Sequence, residues 1–323
     1  MIENSFSDSR KDKFSGCVLG LAIGDALGFP AEFLDIHQIY HKFGPEGVTD
    51  FFSSRYHPQG TFTDDTQMSL AIANALITVG NRELIQRASV EIIMTEISNE
   101  FVKWAFSPEN NRAPGRTCMT GCGNLKEGIP WRESGVAGSK GCGSAMRSTP
   151  IGLVFHNNHA KLKEVGIASS ITTHGHPCAL AGSVATAYLV ALAVNNEPPE
   201  KYIDKLCEFT ADISDEFVAK ISYVPNCLAM ESEEAFQILG NAWVAEEAVA
   251  DALYCFLRSP TDYKKTVLTA ANSNGDSDSI ACIAGAISGA YNGIASIPQK
   301  WIEEIEKSSH LKEIAEELFR LTV

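Results

Sequence analysis

Basic residues are in short supply: 26 Lys and Arg stand against 40 Asp and Glu, a formal net charge of −14 over 323 residues. Binding nucleic acid requires a basic footprint that neutralises phosphates, so no nucleic-acid partner is expected. A small phosphorylated ligand is not excluded, because one pocket can differ in sign from the surface around it. The opening residues Met1-Ile2-Glu3-Asn4-Ser5 lack a basic stretch followed by an apolar core, so no signal peptide is expected. The nine cysteines are odd in number and scattered through apolar stretches. That distribution suits reduced thiols and a cytoplasmic location better than a disulfide framework. Cys118-x-x-x-Cys122 has no second pair at zinc-finger spacing and reads as packed thiols.

Repeats, heptads and low-complexity segments are also missing. Strand signals are confined to 48–52 and 151–155, and neither begins an alternating strand–helix pattern. The longest uncharged run, residues 166–196, would be long enough to span a bilayer. It carries His174, His176 and Pro177, is rich in small residues and has no basic flank, so a buried helix and no membrane contact are expected.

What remains is helical. Gly16, Gly20, Gly24 and Gly28 recur every four residues within an apolar segment and form one bare ridge of a helix. Such a ridge admits close approach by another helix at some cost in helix propensity. Met68, Ala71, Ile72, Ala75 and Leu76 follow helical spacing, and residues 179–194 read as an Ala-rich buried helix. Ile280, Ile283, Ala284, Ile287 and Tyr291 form a further stripe, with Ala281, Gly285 and Gly289 as a second small-residue ridge. Residues 301–321 are amphipathic and acidic and read as one surface helix. Residues 108–128 and 135–144 are Gly-rich and read as irregular. Hydrophobic residues at 45% can fill a sizeable core. The expectation is one compact all-α domain over residues 1–323, with functional loops on one face. The small-residue ridges read as internal, so a monomer is expected.

Two acidic turns open apolar helices: Thr63-Asp64-Asp65-Thr66 and Asp276-Ser277-Asp278-Ser279. Each alone is explained by helix capping and the helix dipole. Together, if the two helix starts meet, they present Asp64, Asp65, Asp276 and Asp278 with the hydroxyls of Thr63 and Ser279. Crowded carboxylates repel unless a cation or hydrogen-bond donors compensate. An all-oxygen set suits Mg²⁺ or Mn²⁺ rather than zinc or copper. An EF-hand starting at Asp276 fails, because Ile280, Ala281 and Ile287 stand where an oxygen ligand, a glycine and a glutamate are needed. An aspartyl-nucleophile loop fails too, because residues 269–275 are not an apolar strand.

Asp25, at an apolar helix end, reads as a hydrogen-bonded structural group, while Glu32 can reach a metal site as a base or an extra ligand. The loop Gly138-Ser139-Lys140-Gly141-Cys142-Gly143 can cradle phosphates with its backbone N–H groups, and reads equally well as a plain turn. Thr173-His174-Gly175-His176-Pro177 enters a helix with one histidine able to face a pocket. A zinc reading of this pair needs more nitrogen or sulfur ligands than the sequence displays.

In order, Gly20-x-x-x-Gly24-Asp25-Ala26-Leu27-Gly28 with Glu32, Thr63-Asp64-Asp65-Thr66, Ser139-Lys140-Gly141-x-Gly143-x-x-Met146-Arg147, Thr173-His174-x-His176-Pro177 and Gly275-Asp276-Ser277-Asp278-Ser279-Ile280 resemble the ADP-ribosylglycohydrolase family (dinitrogenase-reductase-activating glycohydrolase type). The resemblance covers about residues 12–300. It implies a compact orthogonal helix bundle and two divalent cations, Mg²⁺ or Mn²⁺, bound by Thr63, Asp64, Asp65, Asp276, Asp278 and Ser279. It implies Glu32 as a mobile catalytic glutamate, with Asp65 as a further proton acceptor. It implies Gly138, Ser139 and Lys140 as the diphosphate loop, and His174 as a residue lining the ADP-ribose cleft. Cys142 stands where the family usually has Asn, Ser277 and Ser279 where it often has Thr, and Asn274 where Gly is common.

The expected activity is cleavage of the C1 glycosidic bond of an ADP-ribosylated substrate, with arginine on a protein as the adduct. Serine-linked or small-molecule ADP-ribose conjugates remain alternatives. So does a non-catalytic protein that binds ADP-ribose or antagonises a transferase.

Overall fold

The computed structural model describes residues 2–54 and 56–323, with side chains from residue 9 onward. Among the described residues there are sixteen α-helices and no β-strand. The longest, Ile2–Gly28, runs through the centre and lies against Ser277–Asn292. The two ridges of small residues are the two sides of this crossing. A Cβ added at Gly16 would lie 2.4 Å from Gly289 O, one at Gly20 2.4 Å from Gly285 O, and one at Gly24 2.0 Å from Ala281 O. At Gly28 it would lie 2.5 Å from Asp278 Cα. The helices touch backbone to backbone along four turns, and the last contact falls on the second acidic turn.

The Ala-rich Pro177–Val194 helix is nearly all buried inside the protein, as its polar entry and small residues lead one to expect. Asp64–Gly80 starts at the first acidic turn and packs on Val90–Ala105.

Several expectations need correction. Residues 151–154 belong to the helix Thr149–Val154, opened by Pro150 and capped at its end by Phe155. Five apolar residues fit a buried strand or a buried helical turn equally well, and packing against Pro177–Val194 decides for the helix. Residues 48–52 form no strand; the Val48 amide and carbonyl pair with the side chain of Asn272 instead of a neighbouring strand. The Gly-rich stretch 108–128 contains the helix Arg116–Lys126. The surface helix expected over 301–321 is two helices, Gln299–Glu304 and Ser308–Arg320, separated by Lys307 at φ 55°. The break has a tertiary cause: the Glu306 amide donates to Gly60 O, and its carboxylate takes Phe62 N and the Arg112 guanidinium. The C-terminal segment thus braces the strap that leads into the first acidic turn.

One core residue lacks the partners its chemistry requires. Asp251, in Ala245–Arg258, is fully buried, and neither carboxylate oxygen has a hydrogen-bond partner. Burial first, and the charge of Glu247 second, push its pKa well above the carboxylate range, with Lys220 opposing. Folding therefore holds a proton that the unfolded chain has already released at pH 7. Asp251→Ala should stabilise the protein by about 1–2 kcal/mol at pH 7, the gain shrinking toward pH 4. Chemical denaturation at the two pH values checks this; a loss of stability at pH 7 would contradict it.

Candidate active site

The two acidic turns meet. The Ser279 hydroxyl donates to Asp65 Oδ2 at 2.8 Å, joining the helix starts Asp64–Gly80 and Ser277–Asn292. Thr63 caps the first helix, its Oγ1 lying 3.4 Å from both the amide N and Oδ1 of Asp65. Asp25 is spent on structure: its carboxylate accepts from Thr63 N, Thr66 N and the Thr66 hydroxyl, the last at 2.5 Å. It anchors the turn from beneath. Ser277 Oγ donates to Gly28 O at 3.0 Å and ties the second turn to the same central helix.

Asp64, Asp65, Asp276, Asp278 and Ser279 lie on the wall of one cavity of about 400 Å³, within the size range of small-molecule sites. All five are at least nine-tenths buried. Thr63 lies behind them, fully buried. Glu32 is half-buried and also lines the cavity. It sits on a strap fixed to the second turn by Phe33 N to Gly275 O (2.8 Å) and Gly275 N to Leu34 O (3.0 Å). Phe33 is held at φ 71°, a strained value for an aromatic residue. Its ring stacks on Trp243 at 5.2 Å, and both rings are exposed at the cavity.

The electrostatics are those of like charges forced together. Burial, with the charges of Asp25 and Asp276, pushes Asp64 up to about 8 despite a hydrogen bond from Gly115 N. Burial and neighbouring carboxylates also raise Asp65 and Asp278 well above the usual range, the strongest of the charges acting on Asp278 being that of Glu32. Burial raises Asp276 and takes Asp25 to about 6. Among the described residues, none of the five aspartates forms an ion pair with Lys or Arg. Desolvated oxygen donors without a countercharge fit a hard divalent cation. Among the described residues no three of these carboxylates bring one oxygen each within 4.8 Å of one another.

These shifts predict a pH dependence. An acid with a raised folded-state pKa stabilises the fold below its unfolded pKa, and that contribution is lost as pH rises through the folded value. With divalent cations removed, the melting temperature should fall between about pH 4 and pH 8, the interval bounded by the ordinary Asp value and that of Asp64. Added Mg²⁺ or Mn²⁺ should restore most of it at pH 8 and little at pH 5. Scanning calorimetry with EDTA or cation at both pH values measures this, and a flat metal-free profile would refute it.

The glycine-rich loop contributes to the wall through Gly141, Cys142 and Gly143. Cys142 donates its thiol to Asp276 Oδ2 at 2.8 Å. Gly138, Ser139 and Lys140 are outside the cavity lining. Gly138 is exposed, Ser139 lies behind Thr117, and the Lys140 ammonium is engaged by Glu216 at 2.7 Å and by Glu246.

His174 does line the cavity, almost fully buried. Burial first, then the Arg147 charge, lower its pKa to about 3, so it is neutral. Its orientation follows from its neighbours. Arg147 Nη2 donates to Thr173 Oγ1 at 2.8 Å, and arginine is only a donor. The same Thr173 hydroxyl lies 2.8 Å from His174 Nδ1, so the ring is fixed from that side and its Nε2 faces Gly141. The motif arginine stays out of the cavity; buried against Phe101, it orients a histidine through Thr173.

Pattern reading missed one part of the site. The segment Ala113-Pro114-Gly115-Arg116-Thr117-Cys118 lines the cavity, with Ala113 at φ 57° and the start of Arg116–Lys126 facing inward. The signal was present in Pro114-Gly115 before Arg116, a turn followed by a helix start. Trp243 was missed because nothing local separates a cavity aromatic from any other.

A model of the ADP-ribosylglycohydrolase family matches residues 7–323. The chain belongs to that family. A protein of Archaeoglobus fulgidus is 32% identical over 96% of this chain and 97% of its own length. The ADP-ribosylarginine hydrolase Tri1 of Pseudomonas putida is 27% identical over 95% of this chain and 78% of its own length. A solved structure of an ADP-ribosylglycohydrolase-related protein complex superposes with a TM-score of 0.77 at 25% identity, covering 98% of this chain and all of that one. Family membership makes the chain an ADP-ribosylglycohydrolase by class, and the cavity with its buried carboxylates is the candidate active site.

Proposed function

We propose that this ADP-ribosylglycohydrolase removes ADP-ribose from modified arginine on protein, using two divalent cations, Mg²⁺ or Mn²⁺, held by Thr63, Asp64, Asp65, Asp276, Asp278 and Ser279. The observation that carries the reading is the convergence of two buried acidic turns on one cavity, their aspartates forming no ion pair with Lys or Arg among the described residues. When bound, such cations orient substrate hydroxyls and supply positive charge where negative charge develops.

Cleavage at C1 of the distal ribose builds oxocarbenium character at that carbon. Glu32, on the cavity wall beside Asp278, takes the proton of the attacking water, and Asp65 is the further acceptor on the floor. Arg116 and the amides that open its helix face the diphosphate, a task for which Lys140 is held too far back by its two glutamates. His174 presents Nε2 to the substrate, and the Phe33–Trp243 stack covers the mouth. An arginine adduct is favoured by the acidic wall, which welcomes a guanidinium, and by the likeness to a named ADP-ribosylarginine hydrolase.

The test is incubation with arginine-ADP-ribosylated protein in Mg²⁺, Mn²⁺ or EDTA. Metal-dependent release of ADP-ribose is expected. Release only from serine-linked or small-molecule conjugates would move the linkage. No release from any of them would favour a binding protein that has kept the fold.

A further inference from the structure

The second histidine of the Thr173-His174-Gly175-His176-Pro177 motif has no part in the cavity, and the tertiary structure gives it the neighbours that the sequence did not display. His176, Cys178 and Glu216 place one donor atom each within 4.8 Å of one another. Cys178 Sγ lies 3.2 Å from Glu216 Oε2 and 3.3 Å from Ser214 Oγ. The other Glu216 oxygen holds the Lys140 ammonium, which also holds Glu246 Oε1. Glu246 is buried, its Oε2 has no hydrogen-bond partner, and its charge acts on the Cys178 sulfur.

We propose that His176, Cys178 and Glu216 form a second metal site, for a borderline-soft dication of the Zn²⁺ or Co²⁺ class, with Glu246 as a nearby countercharge shared through Lys140, separate from the all-oxygen cluster. Imidazole, thiolate and carboxylate are the donors of four-coordinate zinc sites, and a hard ion such as Mg²⁺ gains nothing from the sulfur. The charges close: a dication with the Lys140 ammonium carries three positive charges, against three from the Cys178 thiolate, Glu216 and Glu246. Binding releases the Cys178 thiol proton to solvent, one per ion. It also ends the helix cap in which His176 Nδ1 accepts Cys178 N–H at 3.1 Å. Coordination through Nδ1 takes that lone pair, and coordination through Nε2 moves the ring proton onto Nδ1. The site adjoins the cavity wall. His176 N donates to Ser139 O at 3.3 Å, and Ala245 N to Lys140 O at 2.8 Å, so an ion here bears on the loop whose next residues are Gly141–Gly143. Soft-metal occupancy and the shape of the substrate wall are thereby linked.

The experiment is titration of the full-length, EDTA-stripped protein with Co²⁺, reading the near-ultraviolet absorption of a cobalt–thiolate bond. One equivalent should develop the band in the wild-type protein. It should persist in Asp64→Ala/Asp65→Ala, which removes the oxygen cluster, and in Cys142→Ala, which removes the thiol beside Asp276. Cys178→Ser should abolish it. Glu216→Gln, an exposed change with little bearing on folding, should weaken binding about tenfold or more. Absence of the band in the wild-type protein overturns the proposal. So does a band lost in Cys142→Ala but kept in Cys178→Ser, or binding unchanged in Glu216→Gln.

Discussion

Replacing Asp64 and Asp65 together with alanine should lower ADP-ribose release by at least about 10³-fold while leaving helix content intact. The magnitude follows from losing cation binding and the fixed charge around the scissile bond, effects that reach this size when single transition-state contacts are removed. Helix content survives because the helix Asp64–Gly80 keeps its Thr63 cap and the Asp25 anchor beneath it. Relief of repulsion between raised, buried carboxylates should even raise the metal-free melting temperature. The measurements are release of ADP-ribose at saturating substrate, bound cation by atomic emission, and circular dichroism. Asp278→Asn is the matching test at the other turn: bound cation falls and helicity stays. Activity within tenfold of wild type in the double variant would remove the acidic cluster from the mechanism.

The second large effect is expected far from any substrate atom. Gly24→Ala should cost about 3 kcal/mol or more of stability, because the new methyl meets Ala281 O at 2.0 Å and its carbonyl carbon at 2.6 Å. Both obstacles are backbone, so no rotamer change relieves them and the two helices must part. Parting them moves Gly28 away from Asp278, so cation affinity should fall along with stability. Gly123→Ala is the control. It lies inside Arg116–Lys126, with nothing within 4 Å of the added carbon, and should be neutral or stabilising by up to about 1 kcal/mol. Equal losses in the two variants would mean that helix propensity, not the crossing, sets the sensitivity.

Much of the site was legible along the chain because its parts are local. A helix cap, a pair of adjacent acids or a glycine every fourth residue is written within one or two turns. The all-α class, the two acidic turns, the structural role of Asp25 and the two small-residue ridges were readable for that reason. The misreadings share the opposite cause. Residues 151–155 satisfied two periodicities at once, and only packing against Pro177–Val194 separated them. The break near Glu306 has no proline or glycine to announce it and exists because Gly60, Phe62 and Arg112 need that carboxylate and amide.

The site itself divides along the same line. The sequence by itself determined which oxygen donors are available and which helices they open, since side-chain chemistry and capping are properties of neighbouring residues. Only the tertiary structure decided that Ser279 closes on Asp65, that Arg147 fixes His174 through Thr173 from behind the wall, and that Lys140 turns to Glu216 and Glu246 while Arg116 lines the cavity. The physical reason is that a buried charge takes whatever partner the packed chain delivers, and such partners lie tens to hundreds of residues away. The two acidic turns were the plainest feature of the sequence; packing of the glycine ridges brings the second of them against the central helix that anchors the first.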